Sequence, residues 1–150
     1  MNENALKIND MNNLTLGGNA KVDTFTTLQD KKQIFNLDSK VDYKINDYVG
    51  QEIEVHGVLI KNITKKLKNP IVDDETGEII RDTEYKRICI LIDQDGKSYV
   101  TASSTFTIAF IKYLQMFGLE EIESEQGLLI KIVNKEVKGS NNKALGFELI

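Results

Sequence analysis

The chain has 150 residues, 41% of them hydrophobic and 28% charged, with a formal net charge of −4. That length suits one domain able to bury its own core. No apolar run reaches the roughly 18 residues of a membrane helix, and residues 1–10 are polar without an apolar h-region, so neither a spanning segment nor a secretory leader is expected.

Residues 1–26 are Asn-rich and lack sustained periodicity, which predicts a flexible arm. Leu6, Ile8, Met11, Leu14 and Leu16 are apolar all the same, so the arm is expected to dock on its own domain or on a neighbouring subunit. Residues 27–47 read as a short helix and a connector. Thr27 can cap that helix, Asp30 follows three positions later, and Leu28, Ile34 and Phe35 form its apolar side.

From residue 51 the chain turns β-rich. Ile53, Val55, Val58, Leu59, Ile60 and Ile63 form a long strand, and Gly57 suits a bulge that moves the inward face from Ile53 and Val55 to Val58 and Ile60. Residues 65–84 read as a loop or an extended hairpin. Asn69-Pro70 and Glu75-Thr76-Gly77-Glu78 supply its turn chemistry. Next, Ile88, Ile90 and Ile92 alternate with Arg87, Cys89 and Leu91. Asp93-Gln94-Asp95-Gly96 makes a hairpin, and residues 97–103 return with Val100 and Ala102 taken as inward.

A helix follows, capped by Ser103 or Ser104 and stopped by Gly118. Phe106, Phe110, Tyr113 and Phe117 fall at helical spacing and are assigned to the core. Two short strands end the chain. The first points Ile130 and Ile132 inward. The second points Leu145, Phe147 and Leu149 inward. The predicted class is mainly β: a five-stranded OB-fold barrel over residues 48–150, with one helix between strands 3 and 4, plus the N-terminal extension.

Catalytic chemistry is scarce. His56 is the only histidine and Cys89 the only cysteine, so an intramolecular disulfide is excluded and a reducing cytoplasm fits. His56 reads as an outward strand residue and Cys89 as a packing or surface thiol. There is no C-x-x-C pair and no phosphate-loop fingerprint. The acids Asp73-Asp74-Glu75 and Asp93-Asp95 read as turn residues. No enzyme activity, metal or cofactor is expected.

The lysines are unevenly placed despite the negative sum. Lys61, Lys65, Lys66 and Lys68 sit in an acid-free stretch. Lys131, Lys135, Lys138 and Lys143 form a second group. Strand alternation puts Tyr85 and Arg87 opposite the isoleucines, and Tyr99 and Thr101 opposite Val100. On an OB-fold these four residues would share one outer face. The two lysine groups would then flank it in the first long loop and in the last hairpin. Such a face suits base stacking on tyrosine and phosphate contact through lysine and arginine.

The pattern Lys68-Asn69-Pro70, Asp74-Glu75-Thr76-Gly77-Glu78, Leu91-Ile92-Asp93, Asp95-Gly96-Lys97-Ser98-Tyr99, Thr101, Ser103 and Phe106 is similar to a known group, as is Lys143-Ala144-Leu145-Gly146-Phe147-Glu148-Leu149. Residues 48–150 resemble the small single-stranded DNA-binding proteins of phages and conjugative plasmids of Gram-positive bacteria. The resemblance implies an OB-fold without enzyme activity that coats strands exposed in replication or conjugative transfer. The housekeeping bacterial single-strand-binding protein ends in an acidic tail, whereas this chain closes on the strand-like Phe147-Glu148-Leu149-Ile150. Tail-mediated recruitment is therefore not expected, and self-association is assigned to the N-terminal arm. Net acidity keeps two alternatives open: an OB-fold protein-interaction module, and a general single-strand binder that also takes RNA.

Overall fold

The computed structural model describes residues 15–16, 20–37, 39–136 and 143–150. In chain order they form β1 (Thr15–Leu16), β2 (Ala20–Thr26), α1 (Lys31–Leu37), β3 (Tyr43–Lys44), a 3-10 turn (Ile45–Tyr48), β4 (Glu52–Val55), β5 (Gly57–Val72), β6 (Ile79–Ile92), β7 (Ser98–Thr101), α2 (Ser104–Phe117), β8 (Leu128–Glu136) and β9 (Lys143–Leu149). The class is mainly β, as expected. One sheet has the order β1-β2-β5-β6-β7-β3 and a second has the order β4-β8-β9. Among the described residues only β3 and β7 pair in parallel. Among the described residues the two sheets are not closed into a barrel.

The chain passes from one sheet to the other at His56, where the backbone bends and the His56 N–H donates to the Ile92 carbonyl at 2.8 Å. Gly57 follows because there is no room for more: an added Cβ would lie 3.1 Å from a Leu28 methyl and 3.3 Å from Ile92 Cβ. The expected change of inward face is present. Ile53, Val55, Val58 and Ile60 all enter one core, with Cys89, Leu91, Phe106, Phe110, Ile130 and Ile132.

A second, smaller core lies on the other side of the large sheet. There Leu37 of α1 covers Leu59, Ile90 and Ile92, with Leu28, Ile34, Val41, Ile88 and Val100 packed around them. Segment 20–26, read from sequence as part of an arm, is instead a strand. It pairs with β5 from Ala20↔Lys65 to Thr26↔Leu59. Its polar Val-Asp-Thr-Phe-Thr run continues an Asn-rich stretch, which hides it from a composition-based reading. The rest of the expected arm, residues 1–14 and 17–19, lies outside the described residues.

Local chemistry sets the helix ends. Asp30, not Thr27, caps α1: its carboxylate accepts the Lys32 N–H at 3.0 Å. Thr27 Oγ1 accepts the Val58 N–H at 3.0 Å and ties the connector to β5. For α2, Ser103 Oγ accepts the Phe106 N–H at 3.2 Å. Gly118, at φ 72°, ends the helix with its N–H on the Leu114 carbonyl. Phe106, Phe110 and Tyr113 are buried as expected, but Phe117 is half exposed, stacked on Tyr113 with ring centroids 5.0 Å apart. Leu149, also expected inside, is 48% exposed because it lies at the outer end of β9.

Candidate nucleic-acid interface

Of the two readings of residues 65–84, the extended hairpin is the one found. β5 and β6 run on as a two-stranded ribbon, turned at 73–78. Gly77 at φ +73° and the Asp73 carboxylate, which accepts the Glu75 N–H at 2.9 Å, shape that turn. Beyond Lys65 no β2 residue pairs with β5, and beyond Cys89 no β7 residue pairs with β6. Among the described residues the outer ribbon therefore pairs only with itself. The register shifts between Lys66 and Ile71, where Pro70 can give no ladder hydrogen bond.

Pairing fixes the faces. Asn62 is opposite Arg87 and Thr64 opposite Tyr85, two and four residues along from Ile60 and Cys89. Tyr85, Arg87 and Lys66 therefore lie on the face that continues outward from the main core. Lys61 and Lys65 lie on the reverse face with Ile88 and Lys86. Lys68 sits in the irregular stretch. Tyr85 is 58% exposed and Lys65, Lys66 and Lys68 are exposed, so these groups are open to a partner.

Two expected site residues are not available. Tyr99 is 9% exposed and Thr101 is 3% exposed. Tyr99 is opposite Leu91 and Thr101 opposite Cys89, so both point into the main core. The alternation was read correctly: Tyr85, Arg87, Tyr99 and Thr101 do share one face. That face is the inner one near β7, and the isoleucine face, taken as the interior, is the one covered by α1. Val100 packs in that second core, and Ala102 is exposed. The Tyr99 hydroxyl donates to Asp93 Oδ2 at 2.8 Å. Burial and that hydrogen bond hold its pKa above the usual tyrosine value.

The second lysine group is electrostatically diluted. Lys131 lies in register between Glu52 and Glu148, and Lys143 is opposite Glu136. The Lys135 side chain lies along Gly146, where an added Cβ would come 3.1 Å from Lys135 Cε. Lys138 lies outside the described residues. The ribbon is different. Residues 61–72 and 79–88 hold seven cations and two acids, and the turn at 73–78 holds four acids.

His56 is half-buried, and its Nε2 lies 2.9 Å from Glu54 Oε1. Cys89 is fully buried, and burial pushes its thiol far above the ordinary range, which removes it as a nucleophile at neutral pH. No helix among the described residues is long and apolar enough to cross a membrane.

Sequence reasoning missed one feature. A shallow cleft of about 600 Å3 runs beside edge strand β3, lined by Tyr43, Lys44, Asp47, Tyr48 and Gln51 among others. Tyr43 and Tyr48 line it and pack against each other and against the buried Tyr99 behind them, with ring centroids 5.1–5.6 Å apart. Three aromatics from segments 56 residues apart carry no shared periodicity; the only local signal was the Tyr43–Tyr48 spacing. Comparison with known proteins gives no match to any family model, curated protein or solved structure.

Proposed function

We propose that this chain is a single-stranded DNA-binding protein that grips its ligand through the β5–β6 ribbon. The observation that carries the reading is the seven-to-two excess of cations on residues 61–72 and 79–88, with exposed Tyr85 on the same face as Lys66 and Arg87. Stacking on tyrosine and cation–phosphate contact together are the usual grip on an unpaired strand, and neither needs a particular base. The four acids at the turn limit the footprint to the ribbon's base, so the affinity is modest and the salt dependence shallow.

An OB-fold ancestry is part of the same proposal. Its support is the element order: β4–β5 as one bent first strand, β6 and β7 as the second and third, α2 before the last pair β8 and β9. The usual OB face is occupied here by α1, so the grip moves outward onto the ribbon that stands in the first long loop. Coating of strands exposed in replication or conjugative transfer follows from the resemblance.

The test is titration of labelled single-stranded DNA, duplex DNA and RNA of equal length at two salt concentrations. Single-stranded DNA should bind best. Tyr85→Ala should weaken it about tenfold, as for loss of one stacked base. Lys66→Ala should flatten the logarithmic salt slope by about 0.7. Equal binding of RNA would widen the proposal to single strands in general. No binding to any of the three would refute it. It would also favour the protein-interaction reading, which has its own support in the exposed Ile71, Ile79 and Ile80 beside the turn.

A further inference from the structure

The cleft beside β3 has a chemistry opposite to that of the ribbon. The ribbon is cationic, whereas Asp42 and Asp47 line the cleft against one cation, Lys44, and Asp93 lies behind it on the Tyr99 hydroxyl. Burial, the Tyr43 hydroxyl and the carboxylates of Asp47 and Asp93 hold the Tyr48 hydroxyl above its ordinary pKa. Asp42 and Asp47 at the cleft with Asp93 behind, against Lys44 alone, make it a poor site for phosphate. It suits a neutral group with hydrogen-bond donors and a flat face.

The carboxylates are not equivalent. Asp42 is spent on structure: its Oδ2 accepts the Ser98 N–H at 2.9 Å and the Ser98 hydroxyl at 3.2 Å. Asp93 accepts the Asp95 and Lys97 N–H groups and the Tyr99 hydroxyl. Asp47 lines the cleft, is exposed, and has no hydrogen bond or ion pair among the described residues. It therefore offers two free acceptor oxygens. Tyr43, 40% exposed, offers a ring to stack on, and Gln51 adds one side-chain amide.

We propose that this cleft is a nucleobase pocket that prefers guanine, with Tyr43 stacking on the base and the Asp47 carboxylate receiving its Watson–Crick edge. Guanine is the DNA base with two adjacent donors on that edge, N1–H and N2–H, which match a carboxylate in a two-point contact. Adenine, cytosine and thymine each present an acceptor where the second oxygen would sit. The base arrives on the strand that the ribbon holds, so the inference rests on the single-strand reading. It adds a local preference to an otherwise sequence-tolerant grip.

The experiment compares a labelled thymine-only strand with the same strand carrying one central guanine. Wild-type protein should bind the guanine strand roughly tenfold more tightly, the scale of one good two-point base contact. Asp47→Asn should erase that difference, because the amide presents one donor and one acceptor in place of two acceptors. Tyr43→Ala should shrink it. Tyr85→Ala on the ribbon should weaken both strands and leave their ratio intact. Equal binding of the two strands by wild type, or a preference that survives Asp47→Asn, would overturn the pocket and leave the ribbon proposal standing. Failure of both strands to bind would overturn the two together.

Discussion

The two halves of the β5–β6 ribbon teach by contrast. At the inner half, residues 58–60 and 89–92 are buried on both faces. At the outer half of the same strands, residues 68–72 and 79–82 are exposed on both faces. Composition does not separate them, since Ile71, Val72, Ile79 and Ile80 are as apolar as Leu59, Ile90 and Ile92. What differs is cover. The inner half lies between α1 on one side and the α2–β8 core on the other, while among the described residues the outer half pairs only with its own partner strand. Alternation tells which residues share a face; it does not tell what lies over that face.

Two tyrosines on one face put the contrast to its sharpest test. Tyr99 lies over the inner core and Tyr85 on the open ribbon. Tyr99→Ala should cost about 3–5 kcal/mol of stability in chemical denaturation, because it opens a cavity and strips Asp93 of a donor. Tyr85→Ala should stay within about 0.5 kcal/mol. Comparable losses at the two sites would mean that the ribbon is packed against something, and the division into covered and open halves would fall.

A smaller effect tests the cover itself. Leu37 is the buried residue of α1 and seals Leu59, Ile90 and Ile92. Leu37→Ala should cost about 2–3 kcal/mol, the lower part of the range for a core leucine, since a seven-residue helix can shift to refill the gap. Ile80→Ala on the ribbon should cost less than about 0.5 kcal/mol by the same denaturation measurement. A cost below about 1 kcal/mol for Leu37 would show that α1 does not protect the isoleucine face. That face would then be open to a ligand, the reverse of the sequence expectation, which put the isoleucines in the interior.

Most of the elements were legible because their signals are local. Ser103 and Gly118 mark the ends of α2, and Asp93 to Gly96 mark a hairpin. Gly57 marks the close approach at the strand bend. The site was legible only in part. Alternation puts Tyr85 and Arg87 on one face, and the register agrees; Lys66, expected only as a flanking loop lysine, joins that face because the loop is a paired ribbon. Tyr99 and Thr101 were put on the right face but taken as outward, because Ile88, Ile90 and Ile92 look like a core and nothing nearby announces that α1 covers them. β3 was invisible at two residues, and with it the cleft lined by Tyr43 and Tyr48 over the buried Tyr99. Such a site exists only through pairing between segments far apart in sequence.

The smallest expected effect lies at the rim of the covered half, where Asp42 ties the connector to β7. The tie is reciprocal: Ser98 donates its N–H to the Asp42 carboxylate, and the Asp42 N–H donates to Ser98 Oγ at 3.1 Å. Because the Ser98 N–H bonds the ionised form, the Asp42 carboxyl is held below the ordinary aspartate value, with burial opposing and Lys97 helping. A carboxyl whose folded pKa is depressed adds stability that is complete above its unfolded value. That stability is lost as pH falls through the folded pKa. Wild-type protein should therefore lose stability on the acid side, below the ordinary aspartate range. Asp42→Asn should start less stable at neutral pH and lose less on acidification, so the two curves converge. Urea midpoints measured for both proteins from neutral pH downward would check this. Parallel curves would show that the Ser98 tie acts through shape alone and not through the carboxylate's charge.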